Sequence, residues 1–342
     1  MERRNLGRTG VSVSPLCLGA MMFGGANNSD HDDAIRIIHR ALDAGINFID
    51  TADVYSRGES EEIVGKALKG RRDDVVLATK VHGQMGDDPN MGGISRRWIM
   101  REVENSLRRL QTDYIDLYQI HRPRPEVDID ETLGALTDLV RQGKVVNIGC
   151  STFQGSQIVE AHWCSERRGH VKFMSEQPPY SILVRGIERE VLPVCERYGM
   201  GVIPWSPLAG GFLSGRYRRG GEEMRSRRID VVPLSFDMSM PENQRKMEAA
   251  WDLADLADEA GLSLVHMALA WVIRHPAVTS AIIGPRTMEH LESQLGAVDV
   301  KLTDDVLDRI DEIVPPGVTI NPADDGWPWN PWLEKSYRRR PA

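Results

Sequence analysis

Four side chains capable of proton chemistry fall at or just past the ends of successive apolar runs. Residues 46–50 (INFID) end in Asp50, residues 74–80 (DVVLATK) in Lys80 and residues 115–121 (IDLYQIH) in His121, while Tyr55 follows Asp50 closely. Strand interiors favour β-branched and aliphatic residues, so ionisable groups gathered at the ends need a chemical reason. A free phenol, with a pKa of about 10, is a poor acid at neutral pH. An ammonium beside it stabilises the phenolate and makes it a better proton donor. Lys80 can supply that ammonium and Asp50 can hold it in place. His121 can donate a hydrogen bond to a carbonyl oxygen as charge develops there. The set suits protonation of a carbonyl oxygen while hydride reaches the carbon. No side chain supplies hydride, so a nicotinamide cofactor is implied. Singly, each residue has a plain structural reading: Asp50 as a helix cap, Tyr55 as a surface phenol, Lys80 as a rim charge, His121 as a loop histidine. Their joint placement favours the chemical one.

Something must bring the four together. Strand-like runs at 16–19, 46–50, 75–80, 115–120, 145–150, 172–177, 201–205 and 280–284 alternate with helical patterns. The latter fall at 32–44, 60–68, 95–110, 131–142, 154–166, 188–198, 241–260, 264–275, 288–297 and 303–313. In the first helix Ile35, Ile38 and Leu42 recur at helical spacing and Gly45 stops it; Ser95 is placed as an N-cap. Strand followed by helix, repeated, means a parallel sheet. A doubly wound sheet satisfies the alternation too. Eight units over about 270 residues favour a closed (β/α)8 TIM barrel, whose usual size is ~250. The first strand leads into GAMMFGG, not the GxGxxG of a dinucleotide-binding fold, and no GxxxxGK[ST] occurs. In a barrel all strand C-termini face one mouth, where Asp50, Tyr55, Lys80 and His121 would converge. Residues 3–6 and 11–14 read as an N-terminal β-hairpin plugging the far end. Two extended loops, 207–240 and the tail from 315 with Trp327, Trp329 and Trp332, are placed at the C-terminal face, the tail over the active site. The whole of 1–342 is read as one barrel domain.

The chain has 342 residues, 41% hydrophobic and 27% charged, with a net charge of −8. That balance argues against nucleic acid or an anionic membrane as partner. Cys17, Cys150, Cys164 and Cys195 form no CxxC pair and match no zinc spacing, so they read as buried thiols. No signal-peptide core and no run of ~20 apolar residues is seen, which places the protein in the cytoplasm.

The stretch DTADVYSRGESEEIVGKAL, Lys80 after VVLAT and His121 after DLYQI resemble the aldo-keto reductases, in the long-chain branch that includes bacterial enzymes and potassium-channel beta subunits. The resemblance runs from about Arg4 to Ile313. It implies Tyr55 as general acid, Lys80 and Asp50 as its tuning pair, and His121 as the carbonyl-polarising residue. It further implies NADPH. Ser151, Thr152 and Gln177 would meet the nicotinamide amide, and Trp205 would stack under its ring. Ser206, Pro207, Leu208 and Gly210 would line the pyrophosphate, using backbone N–H groups where glycine permits close approach. Gly284, Arg286, His290 and Gln294 would hold the adenosine phosphate, with Arg286 at a helix start suited to a 2′-phosphate. Gly19, Ala20 and Met21 match the strand-one cofactor segment, and Asp50 is a further cofactor contact that the resemblance implies. This chain departs from the family at Ala20 (Thr usual), Thr152 (Asn) and His290 (Gln).

Specificity is expected from the loops, with Met22, Phe23, Tyr55, His82, His121 and Arg122 as substrate contacts. An apolar carbonyl, a sugar ketone in a biosynthetic pathway and a phosphorylated aldehyde all stay open, as does a homo-oligomer. The leading reading is an NADPH-dependent aldehyde or ketone reductase. A nicotinamide-binding regulatory subunit with weak turnover is the alternative. A metal-dependent barrel hydrolase would want a His-x-His at strand one, which is missing.

Overall fold

A computed structural model describes residues 1–25, 27–221 and 232–326. The chain opens with an antiparallel hairpin, β1 (Arg4–Asn5) and β2 (Ser12–Val13). Eight parallel strands follow: β3 (Leu16–Gly19), β4 (Phe48–Asp50), β5 (Val76–Val81), β6 (Ile115–Ile120), β7 (Val145–Ser151), β8 (Ser175–Gln177), β9 (Gly201–Val202) and β10 (Ala281–Ile283). Each pairs with the next from β3 to β9, and β10 pairs back onto β3. The seam between β9 and β10 is closed by hydrogen bonds from Ile282 N to Pro204 O at 2.9 Å and from Thr279 N to Val202 O at 2.8 Å. The result is the expected (β/α)8 barrel. β9 is shorter than its apolar run because Pro204 has no N–H to continue a ladder. Its carbonyl still serves the seam.

The helices are α1 (His31–Asp43), α2 (Glu59–Ala67), α3 (Arg96–Leu110), α4 (Ile129–Arg141), α5 (Gly155–Arg168), α6 (Val191–Tyr198), α7 (Pro233–Phe236), α8 (Pro241–Glu259), α9 (Leu264–Arg274), α10 (Met288–Leu295) and α11 (Asp304–Ile313). In α1 the buried residues are Ala34, Ile37, Ile38 and Ala41, a stripe rotated from the expected one; Ile35 and Leu42 pack at its margin. Asp30 caps it by accepting from Asp33 N. Ser95 caps α3 as expected, accepting from Trp98 N, a contact of the kind that contributes about 1 kcal/mol. Among the described residues no single helix is long and apolar enough to cross a membrane; α8 and α9 pass that test only as a pair, bent by 97°.

Strand side chains alternate between faces, so every second residue enters the barrel. Cys17, Phe48, Ala78, Leu117, Ile203 and Ile282 form an apolar floor with Leu6 and Val13 of the hairpin. A buried aliphatic or phenyl side chain of this kind contributes roughly 1.5–3 kcal/mol. Two residues further along the same strands stand Gly19, Asp50, Lys80, Gln119, Trp205 and Gly284. The period of two thus converts an apolar floor into a polar ceiling at the C-terminal mouth.

The hairpin plugs the opposite end, as expected. Arg4 Nη1 donates to Ile273 O at 2.7 Å and to Val278 O at 3.2 Å. Gly7 lies so close to β9 that an added Cβ would sit 2.6 Å from Gly201 N. At the mouth the tail reaches Gly326, where an added Cβ would lie 2.7 Å from Thr152 Cγ2. The rest of the tail, with Trp327, Trp329 and Trp332, and positions 222–231 of the long loop lie outside the described residues.

Candidate active site

Asp50 ends β4 and Lys80 lies one residue from the end of β5. Both side chains point inward from neighbouring strands, and the Lys80 ammonium meets Asp50 Oδ1 at 2.5 Å. It also donates to Thr51 O at 2.8 Å and to the Tyr55 hydroxyl at 3.3 Å. The second oxygen of Asp50 accepts from Gln177 Nε2 at 2.8 Å and Gln119 Nε2 at 3.1 Å. Burial disfavours the Lys80 charge, but Asp50 and Tyr55 outweigh it and hold its pKa above the ordinary lysine value. Tyr55 arrives from a short turn after β4, and its ring meets the His121 ring edge-on at 5.7 Å. His121 follows β6, with its N–H bonded to Val81 O at 3.0 Å. Burial, then the positive charges of Lys80 and Arg122, push its pKa well below the usual imidazole value, so the ring is neutral at neutral pH.

Asp50, Tyr55, His121 and Gln177 open onto one cavity of about 610 Å³, with Lys80 and Gln119 behind them, within the ~300–1,000 Å³ common for ligand sites. Its walls hold Asp50, Tyr55, His121, Arg122 and Gln177 at one end. Gly19, Met21, Met22, Trp205, Ser206, Pro207, Leu208 and Gly210 line it further, and Gly284, Arg286, His290 and Gln294 complete it. Gln294 Oε1 and Trp205 Nε1 in this wall are buried without a hydrogen-bond partner among the described residues. The Gly210 N–H donates to Ser206 Oγ at 2.9 Å, so its use is in shaping the loop more than in meeting a phosphate.

Five expected contacts stand outside that wall. Ala20 is buried, its N–H bonded to Asp50 O at 2.8 Å and its carbonyl to Ser60 Oγ. Phe23 turns inward on a bond from its N–H to Ala20 O and packs into the core. Ser151 Oγ donates to Gln177 O at 2.9 Å, and Thr152 Oγ1 accepts from Arg122 at 3.0 Å. His82 accepts from Arg124 at 2.9 Å, and burial, helped by Arg124, lowers its pKa to about 4. Ser151 and Thr152 brace Gln177 and Arg122 of the wall from behind.

Sequence reading missed Gln119, although a glutamine two residues beyond the inward Leu117 was a usable signal. It also missed a buried acidic cluster behind β5. Asp53 accepts from Val54 N at 2.7 Å and His82 N at 3.2 Å. Nearby, Glu61 and Glu102 share Arg109, each at 2.6 Å. Burial, reinforced by Glu61, raises the Asp53 pKa to about 8. All four cysteines are free and buried.

Comparison with known proteins gives the family. The family model for the Aldo/keto reductase family matches residues 15–315. An uncharacterized oxidoreductase of Bacillus subtilis is 42% identical over 327 residues, 92% of this chain and 96% of that protein. A probable voltage-gated potassium channel subunit beta of Arabidopsis thaliana is 36% identical over 322 residues, 92% of this chain and 97% of that protein. With a matching family model, full-length relatives and the barrel fold, the chain belongs to the aldo/keto reductase family of oxidoreductases.

Proposed function

We propose that this protein reduces an aldehyde or ketone to an alcohol with NADPH, Tyr55 acting as the general acid. The observation that carries the reading is the chain of contacts from Asp50 through Lys80 to the Tyr55 hydroxyl, ending at a cavity that also holds His121. A bound dihydronicotinamide supplies the hydride. Tyr55 holds the proton destined for the carbonyl oxygen. The Lys80 ammonium stabilises the phenolate left behind, and Asp50 fixes that ammonium against thermal displacement. A neutral His121 can donate one ring N–H to the carbonyl oxygen without adding a charge that would compete with Lys80.

The residues fit a dinucleotide. Gln177 and Trp205 would hold the nicotinamide end, with Ser151 and Thr152 supporting Gln177. The loop from Ser206 to Gly210 would flank the pyrophosphate. Arg286, His290 and the unpartnered Gln294 Oε1 would take the adenosine end, and the Arg286 charge favours NADPH over NADH. Met21 and Met22 give the mouth an adaptable apolar edge for substrate. The partner is a small carbonyl compound.

The test follows NADPH consumption over a panel of aldehydes and ketones, with Tyr55→Phe beside wild type. Loss of a positioned general acid is expected to lower turnover roughly 10²–10⁴-fold while NADPH still binds. Equal turnover by Tyr55→Phe sinks the assignment. A second reading, a regulatory subunit with slow turnover, is favoured by the likeness to the potassium channel subunit. It gains if wild type binds NADPH yet reduces no carbonyl.

A further inference from the structure

We infer that Arg122 is an anchor for a carboxylate on the substrate, so that the protein prefers aldehydes or ketones carrying a single acid group. The inference rests on the carbonyl-reductase reading and narrows its substrate class. Arg122 follows His121 directly and lines the same end of the cavity as Tyr55. All its hydrogen bonds run through Nη1: to His121 O at 2.7 Å, Thr152 Oγ1 at 3.0 Å and Ser151 Oγ at 3.4 Å. Those acceptors are neutral and hold the guanidinium in place. Its Nε and Nη2 have no protein partner among the described residues, which leaves one edge of the fork unused.

The charge is also unmatched. Arg109 is paired with Glu61 and Glu102, and Arg185 with Glu188 and Asp311. Arg122 has no carboxylate within ion-pair distance among the described residues. Asp50, the carboxylate in the cavity wall, is taken by Lys80 and two glutamines. The guanidinium lies 5.7 Å from the Trp205 ring centroid, an attraction of ~0.5–2 kcal/mol that leaves the charge standing. Burial accordingly draws the Arg122 pKa below the ordinary arginine value, against smaller pulls from Tyr55 and Glu176.

A desolvated cation without a counter-ion costs stability, and a ligand that brings the anion removes that cost. One unmatched positive charge calls for one negative charge. A carboxylate supplies it, and its two oxygens match the free Nε–Nη2 edge in bidentate fashion. A dianionic phosphate would bring a second charge with nothing beside Arg122 to answer it.

The experiment uses the full chain with ortho-, meta- and para-carboxybenzaldehyde, which step the acid around the ring, and their neutral methyl esters. In wild type at least one acid is expected to exceed its ester in kcat/KM by about tenfold or more, the size of one charge-assisted hydrogen bond. Arg122→Gln should erase that preference, the acid losing about ten- to a hundredfold and the ester far less. Arg122→Lys should keep part of it. NADPH affinity, read from tryptophan fluorescence, should not follow the acid. Acids no better than esters, equal losses for both, or a parallel fall in NADPH affinity would each overturn the inference. If neither these aldehydes nor any carbonyl of the wider panel is reduced, the reductase reading fails, and calorimetric titration of the acids into NADPH-bound protein decides about Arg122 alone. Binding lost in Arg122→Gln upholds the anchor; unchanged or absent wild-type binding overturns it.

Discussion

Lys80 and Asp50 form an ion pair at 2.5 Å inside the barrel, with side-chain exposures of 0% and 3%. A pair so far from water is held by its completeness: each oxygen of Asp50 and the Lys80 ammonium has partners. Asp50→Asn removes the counter-charge and leaves a buried ammonium. It is expected to lower unfolding stability by ~3–5 kcal/mol, read from urea denaturation at neutral pH. An unchanged midpoint would show that water or another group relieves the Lys80 charge.

Arg286→Ala tests the cofactor preference. If its guanidinium meets a 2′-phosphate, NADPH affinity should fall about ten- to a hundredfold while NADH affinity holds. Titration of both cofactors by fluorescence separates the outcomes, and equal losses would remove Arg286 from that role.

Asp53 carries a pH signature in stability. Its native pKa of about 8 stands far above the ~3.9 of an exposed aspartate. The native state therefore keeps a proton that the unfolded chain has already released. Stability from this group is fully present below the unfolded pKa and is lost as pH rises toward the native one. The slope is about 1.4 kcal/mol per pH unit. Asp53→Asn should abolish this component, so its stability relative to wild type should climb between about pH 4 and 8 and then level off. Parallel stability curves for the two proteins would refute it.

Gly65, within the stretch that resembles the family, is needed for contact between α2 and α3. An added Cβ would lie 2.7 Å from Arg109 O and from the Leu110 backbone. Gly65→Ala must push the helices apart and is expected to cost about 1–3 kcal/mol, measured by thermal or urea unfolding. Because Arg109 anchors Glu61 and Glu102, the loss should exceed that of Gly134→Ala, whose Cβ meets nothing closer than 3.6 Å.

The barrel was legible because its signals are local and repeated: apolar runs, helix caps such as Ser95 and stops such as Gly45. The tetrad was legible for a related reason, since ionisable residues at strand ends break a strong compositional rule. What escaped were relationships set by depth. Phe23 and His82 stand in the right loops, but whether a loop residue faces the cavity or the core depends on how its turn packs. Gln119 was readable from the period of two after Leu117, whereas Asp53 and Glu61 looked like ordinary polar residues, because nothing in one chain reports that a side chain outside a strand's period is sealed from water. The rotated stripe of α1 has the same origin: Ala34 and Ala41 take the buried face, while Ile35 and Leu42 lie at its margin.

The hairpin plug sets an order of events. Arg4 finds its acceptors 269 and 274 residues further along the chain. The hairpin meets Asn47 through Ser12 and Ser14 and meets β9 through Gly7, so the two Arg4 bonds are the part of its docking that waits for residues 273 and 278. Contacts of such long sequence separation form late and slowly. The two Arg4 bonds thus tie the plug to the segment that leads into β10, closing the far end of the barrel across its longest sequence separation.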